Sequence, residues 1–112
     1  MTEAAEAHER LIELCWNDDG QEGLDLALAF DGPAVAQLQM LAMAESIVGE
    51  RRGDLHLIRS GTEKFERLDE IQCNSYSAYN IAHNYAAIWR AAQQRLGLAQ
   101  ALLDFSLDSR DG

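Results

Sequence analysis

The sequence predicts an all-α protein, a compact bundle of five or six helices. Apolar residues recur at three- and four-residue intervals along most of the chain. One proline and eight glycines interrupt it. The only stretches that alternate like strands, 24–30 and 55–58, would form a lone two-stranded pairing, which is marginal in water. At 112 residues the chain has room for one domain, 1–112, and can bury roughly 65% of its unfolded surface without disulfides or metal. The alternative is an α+β fold in which 24–30 and 55–58 form a minor hairpin.

Taken in order, Thr2 caps a first helix to about Asn17, with Ala4, Ala7, Leu11, Leu14 and Cys15 as its apolar stripe and Ile12 and Trp16 widening it. Acids in its first turn suit the positive end of the helix dipole. Asn17-Asp18-Asp19-Gly20 is a stop and a turn. Leucine and alanine make 24–30 a short helix in spite of its alternation. Asp31-Gly32-Pro33 starts the next helix, with Pro33 at its first position. That helix runs to about Gly49 with Val35, Leu38, Leu41, Ala42, Glu45 and Val48 at helical spacing. Residues 50–54 read as an exposed turn. Ser60 and Glu63 have capping-box spacing and open a helix with Phe65, Leu68 and Ile71 inward and Glu63 and Arg67 outward. Ser75 caps a long helix to about Gly97, and Leu98–Phe105 forms a last short one.

Composition excludes several classes. With 47% hydrophobic and 25% charged residues, the chain is not disordered. Cys15 and Cys73 lie in apolar-periodic stretches, outside any CxxC, and read as reduced core thiols of a cytoplasmic protein. The acidic start is unlike a signal peptide. The charge-free run from Ile71 up to Arg90 holds too many Asn, Ser and His to span a bilayer. A net charge of −10 disfavours direct binding to nucleic acid or to an anionic membrane.

The charge is polarised. Residues 1–31 carry nine acids and one base, 71–103 carry no acid and two bases, Arg90 and Arg95. Glu6, Glu9, Glu13, Asp18, Asp19, Glu22 and Asp25 are candidates for an acidic docking face, because complementary charge speeds association and sets specificity. The same carboxylates suit a solvated face that keeps the protein soluble, or internal pairing with Arg90 and Arg95. On the long helix, Tyr76, Tyr79, Asn80, His83 and Arg90 fall near one face. Ile81, Tyr85, Ile88, Ala92 and Leu96 fall on the opposite one, with Trp89 beside it. Tyr, Trp and Arg are the types favoured at interface hot spots, although tyrosines packed inward would serve the fold alone.

Asn80-Ile81-Ala82-His83-Asn84-Tyr85 resembles the ribonuclease motif of the HEPN family of small helical bundles, with His83 and Tyr85 matching its His-x-Tyr. The resemblance spans about six residues and implies RNA cleavage using His83. The arginine that the motif carries about five residues before the histidine is Ala78 here. No other constellation carries chemistry. Placing Gly20 at the glycine position of an EF-hand would make Cys15 and Leu26 ligands, which fails. The three histidines form no His-x3-His or Glu-x-x-His pair, so no metal or cofactor is expected. Gly20 and Gly23 are followed by acids that would repel a phosphate.

The expectation is therefore a non-enzymatic interaction protein, an inhibitor, immunity-type or adaptor protein that occludes a basic protein partner. The profile is similar to that of small phage-type inhibitors, anti-CRISPR-like proteins and nucleic-acid mimics among them. A divergent HEPN-like nuclease and a structural homo-oligomer are the alternatives.

Overall fold

Five helices and no strand occupy the described residues: α1 (Glu3–Trp16), α2 (Gln21–Ala29), α3 (Ala34–Arg52), α4 (Leu55–Ile71) and α5 (Ser75–Asp111). The computed structural model describes the backbone of residues 3–72 and 75–111 and the side chains of 5–72, 77–101, 103 and 104. Both segments of the alternative hairpin are helical, 24–30 within and just beyond α2 and 55–58 in the first turn of α4, so the α+β reading falls. Thr2, Cys73, Asn74 and the side chains of Ala4, Ser75 and Tyr76 lie outside the described residues.

α3 is the hub, packing against α1, α2 and α4, while α5 packs chiefly on α4. Its residues Ala42, Ala44 and Val48 are fully buried, facing Leu11 and Cys15 of α1, Ala27 of α2 and Phe65 of α4 in one cluster. Small residues set the helix spacing. A Cβ at Gly23 would stand 2.5 Å from the Cys15 Sγ, and one at Gly61 2.5 Å from the Ser46 Oγ. Each glycine therefore marks a point where two helices approach too closely for any side chain.

Several boundaries differ from the sequence reading. α3 begins at Ala34, with Pro33 as its N-cap, and it runs through Gly49 to Arg52. Gly49 is a packing site and no stop, since a Cβ there would stand 2.8 Å from the Ile58 nitrogen. The stop is Gly53, in the left-handed region at φ 68°, whose N–H donates to the carbonyls of Gly49 and Glu50. Asp54 then caps α4, its side chain accepting from the backbone N–H groups of His56 and Leu57. Ser60 and Glu63 consequently lie inside α4, and their capping-box spacing has no capping role. Val35 and Ile71 are exposed instead of inward.

The largest correction concerns α5. It is continuous from Ser75 to Asp111, so Gly97 does not end it and Leu98–Phe105 is no separate element. One mid-helix glycine costs only about 1 kcal/mol. Its buried face is Ser77, Asn84 and Ala87, with Ile81 packed on the core. Of the stripe opposite the aromatic-polar face, Tyr85, Ala92 and Leu96 are exposed. α4 runs antiparallel beside the first half of α5 and begins at Leu55, level with about Ala91. Beyond that point every described side chain from Ala92 to Asp104 is exposed. The last 20 residues thus project about 30 Å past the bundle, and the molecule measures 67 × 30 × 17 Å. Among the described residues no helix is long and apolar enough to cross a membrane.

Candidate functional site

The turn between α1 and α2 reverses the chain through Asp18 (φ 47°) and Gly20 (φ 84°). The last carbonyls of a helix lack intrahelical donors, and here the end of α3 supplies them. Arg51 donates to the carbonyl oxygens of Cys15 (2.6 Å) and Asp18 (2.7 Å), and Arg52 to that of Asp19 (2.9 Å). The Arg51 guanidinium also lies over the Trp16 ring, 5.4 Å from its centroid. Trp16 widens no buried stripe; it is exposed and holds Arg51. Burial pushes the Cys15 thiol from its ordinary 9.0 up to about 11, against the opposing effect of the Arg51 charge.

This clamp forms one wall of a cavity of about 310 Å³ between α1, α3 and α5, lined by Trp16, Met43, Ser46, Ile47, Glu50 and Arg51 on one side and Tyr79, Asn80, His83 and Asn84 on the other. His83 Nε2 lies 2.7 Å from Glu50 Oε2, and Arg90 donates to Glu50 Oε1 at 3.4 Å. Tyr79 stacks on His83, with centroids 6.2 Å apart. Deeper in, the buried Asn84 amide donates to Ser46 Oγ, which donates to the Ala42 carbonyl. The polar face of α5 is thereby tied to α3 through one turn-to-turn ladder.

Of the aromatic-polar residues expected to act together, Tyr79, Asn80, His83 and Arg90 gather around Glu50. Trp89 does not join them: it stands about 120° around the helix from His83 and is 65% exposed. Tyr76 lies outside the described side chains. The His83 and Tyr85 of the HEPN-like motif face different places. Tyr85 donates its hydroxyl to Glu66 on α4 at 2.6 Å, and this hydrogen bond raises its pKa. Arg51 does bring a cation into the cavity that His83 lines, but its guanidinium is engaged by two carbonyls and a ring. The motif's residues therefore do not converge on a common reacting centre.

All seven candidate acids are exposed. Glu6, Glu9 and Glu13 follow one another on a single face of α1, and among the described residues none is in an ion pair. Asp19 meets Arg52 at 3.7 Å, and Asp25 accepts from the Gln21 amide at 2.9 Å. The internal pairing of N-terminal acids with Arg90 is overturned, because Arg90 pairs with Glu50 of α3. Sequence reasoning missed Glu50, Arg51 and Ser46 because it placed the first two in a turn; no spacing signal joins them to residues 79–90. Among the described residues no group of His, Cys, Asp and Glu could hold a metal ion. Comparison with protein-family models, curated proteins and solved structures gives no match.

Proposed function

We propose that the protein is a non-enzymatic interaction protein that docks its acidic N-terminal region on a basic surface of a protein partner and occludes it, in the manner of an inhibitor, immunity-type protein or adaptor. The observation that carries this reading is the row of exposed carboxylates on α1, none in an ion pair among the described residues, with Arg10 as the one base in residues 1–31. Glu6 to Glu13 spans about 10 Å of helix, so the row carries one charge per about 5 Å. One strand of a duplex carries one per 3.4 Å. That similarity supports nucleic-acid mimicry as the way a groove for phosphates would be filled. The proposed setting is the cytoplasm, where a buried free thiol such as Cys15 stays reduced.

The test is affinity for a partner captured from the native host, titrated at low and high salt. Binding should weaken roughly tenfold or more as salt is raised. Charge reversal by Glu6→Lys, Glu9→Lys and Glu13→Lys together should remove it, and Tyr79→Ala should weaken it less. An affinity indifferent to salt and to the triple reversal would sink the proposal. Cleavage of RNA that disappears in His83→Ala would replace it with the nuclease reading.

A further inference from the structure

The exposed side of α5 carries a regular pattern that the bundle leaves uncovered, although the Tyr85 hydroxyl reaches Glu66. Ala78, Ala82, Tyr85, Trp89, Ala92, Leu96, Ala99 and Leu103 follow one another at alternating intervals of four and three residues. All eight are apolar apart from the Tyr85 hydroxyl, and all eight are exposed. Leu96 is 71% exposed, Tyr85 53% and Leu103 54%. Alternating intervals of three and four are those of a two-helix seam, in which residues of one helix fit between residues of another. The seam runs unbroken from the half of α5 that packs on α4 into the half that projects.

We propose that a second copy of this chain occupies the seam, its α5 lying antiparallel so that the projecting half of each helix covers the bundle half of the other. In such a pair the two alternating positions face each other, and one register uses all eight residues. Trp89 meets the partner's Ala92, Tyr85 the partner's Leu96, Ala82 the partner's Ala99 and Ala78 the partner's Leu103. The largest ring faces a methyl group, and Leu103 faces another, so the layers fit without two bulky rings meeting. A two-fold axis passing between Arg90 and Ala91 makes every contact occur twice, as an isologous interface requires.

Three further observations select this occupant and direction. The seam runs about 38 Å along α5 with Tyr85, Trp89, Leu96 and Leu103 each more than half exposed, a length and apolar content that suit pairing with another helix of the same length. Each chain has a net charge of −10, and the antiparallel arrangement places the two acidic bundles at opposite ends, whereas a parallel one sets them side by side. Residues 71–103 contain no acid, so the stretch that forms the seam is one that acidic surfaces do not repel. Arg95 comes level with the partner's Ala86, on the flank where Glu66 of the partner subunit receives the Tyr85 hydroxyl. This inference is independent of the acidic docking face, which lies on α1.

Sedimentation equilibrium of the full-length protein should give a dimer, and Leu96→Glu should give a monomer whose bundle unfolds cooperatively as before, since Leu96 is 71% exposed and lies outside the bundle core. Cross-linking fixes the register independently of that variant. In a Cys73→Ser background with Cys15 buried, the double variant Ala82→Cys/Ala99→Cys should form a covalent dimer under mild oxidation, while each single variant stays monomeric on a denaturing gel. The two introduced thiols are about 25 Å apart within one helix and cannot close on themselves. A wild-type monomer at every concentration, single variants that cross-link to themselves, or a double variant that does not cross-link would each overturn the proposal.

Discussion

Residues 75–91 and residues 92–104 belong to one unbroken helix, yet the first stretch is fastened to two helices and the second stands clear of both. The first is held by the buried amide of Asn84 on Ser46, by His83 and Arg90 on Glu50, and by Tyr85 on Glu66. The second exposes leucines that a solitary helix has no reason to keep. Isolated helices of this length are marginal in water and draw most of their stability from packing. The two halves of α5 therefore place different demands on the same backbone: the first needs its polar contacts to α3 and α4, the second needs an occupant for its seam.

The contrast between fastened bundle and free arm can be broken most sharply by a cavity. Phe65→Ala in the bundle should cost about 3–5 kcal/mol, read as a fall in the midpoint of denaturant unfolding. A helical glycine gives the next test. In Gly61→Ala the new methyl meets Ser46 Oγ at 2.5 Å and the Ala42 carbonyl at 3.0 Å, so a loss of about 1–3 kcal/mol is expected from overpacking. The buried thiol gives a pH test of similar size. The Cys15 pKa is raised, so its contribution is fully present below about pH 9 and is lost as pH rises toward 11. Thermal unfolding should reveal a loss on the order of 2 kcal/mol across that window, and Cys15→Ala should flatten it. Arg51→Gln removes a double anchor and a ring contact, with about 1–2 kcal/mol expected. Smallest, and opposite in sign, Gly97→Ala meets nothing within 4 Å. It should stabilise the arm by about 0.5–1 kcal/mol, visible as slower amide exchange around residues 94–101.

The same contrast explains what the sequence made legible. Helix existence followed from periodicity, because Leu11, Ala42, Phe65 and Leu68 recur on faces that must be buried somewhere. Helix ends followed less well, because glycine serves two purposes. At Gly53 it supplies a left-handed φ and ends α3; at Gly49 and Gly61 it clears space for a neighbour, which only the packed structure reveals. The acidic row on α1 could be read directly, since exposure of charged residues is the default. The cavity around Glu50 could not, because its walls come from three helices and no local spacing links Trp16 to Arg51 to His83. The seam on α5 was in principle readable from 78 to 103. Taking Gly97 as a helix end cut it in two, and grouping Tyr85 and Leu96 with Ile81, which packs on the core, left its exposed residues undistinguished from the buried ones.

The arginine clamp on the turn between α1 and α2 keeps two uses of charge apart. Arg51 and Arg52 grip uncharged backbone carbonyls, and among the described residues only Asp19 gains a direct, 3.7 Å charge contact from them. Glu6, Glu9 and Glu13 take no part in that clamp, so charge reversal there leaves the α1–α3 corner tied by the same hydrogen bonds. The architecture separates the charge that faces outward from the cations that hold the corner, so the surface charge can be rewritten by substitution with the scaffold beneath it still in place.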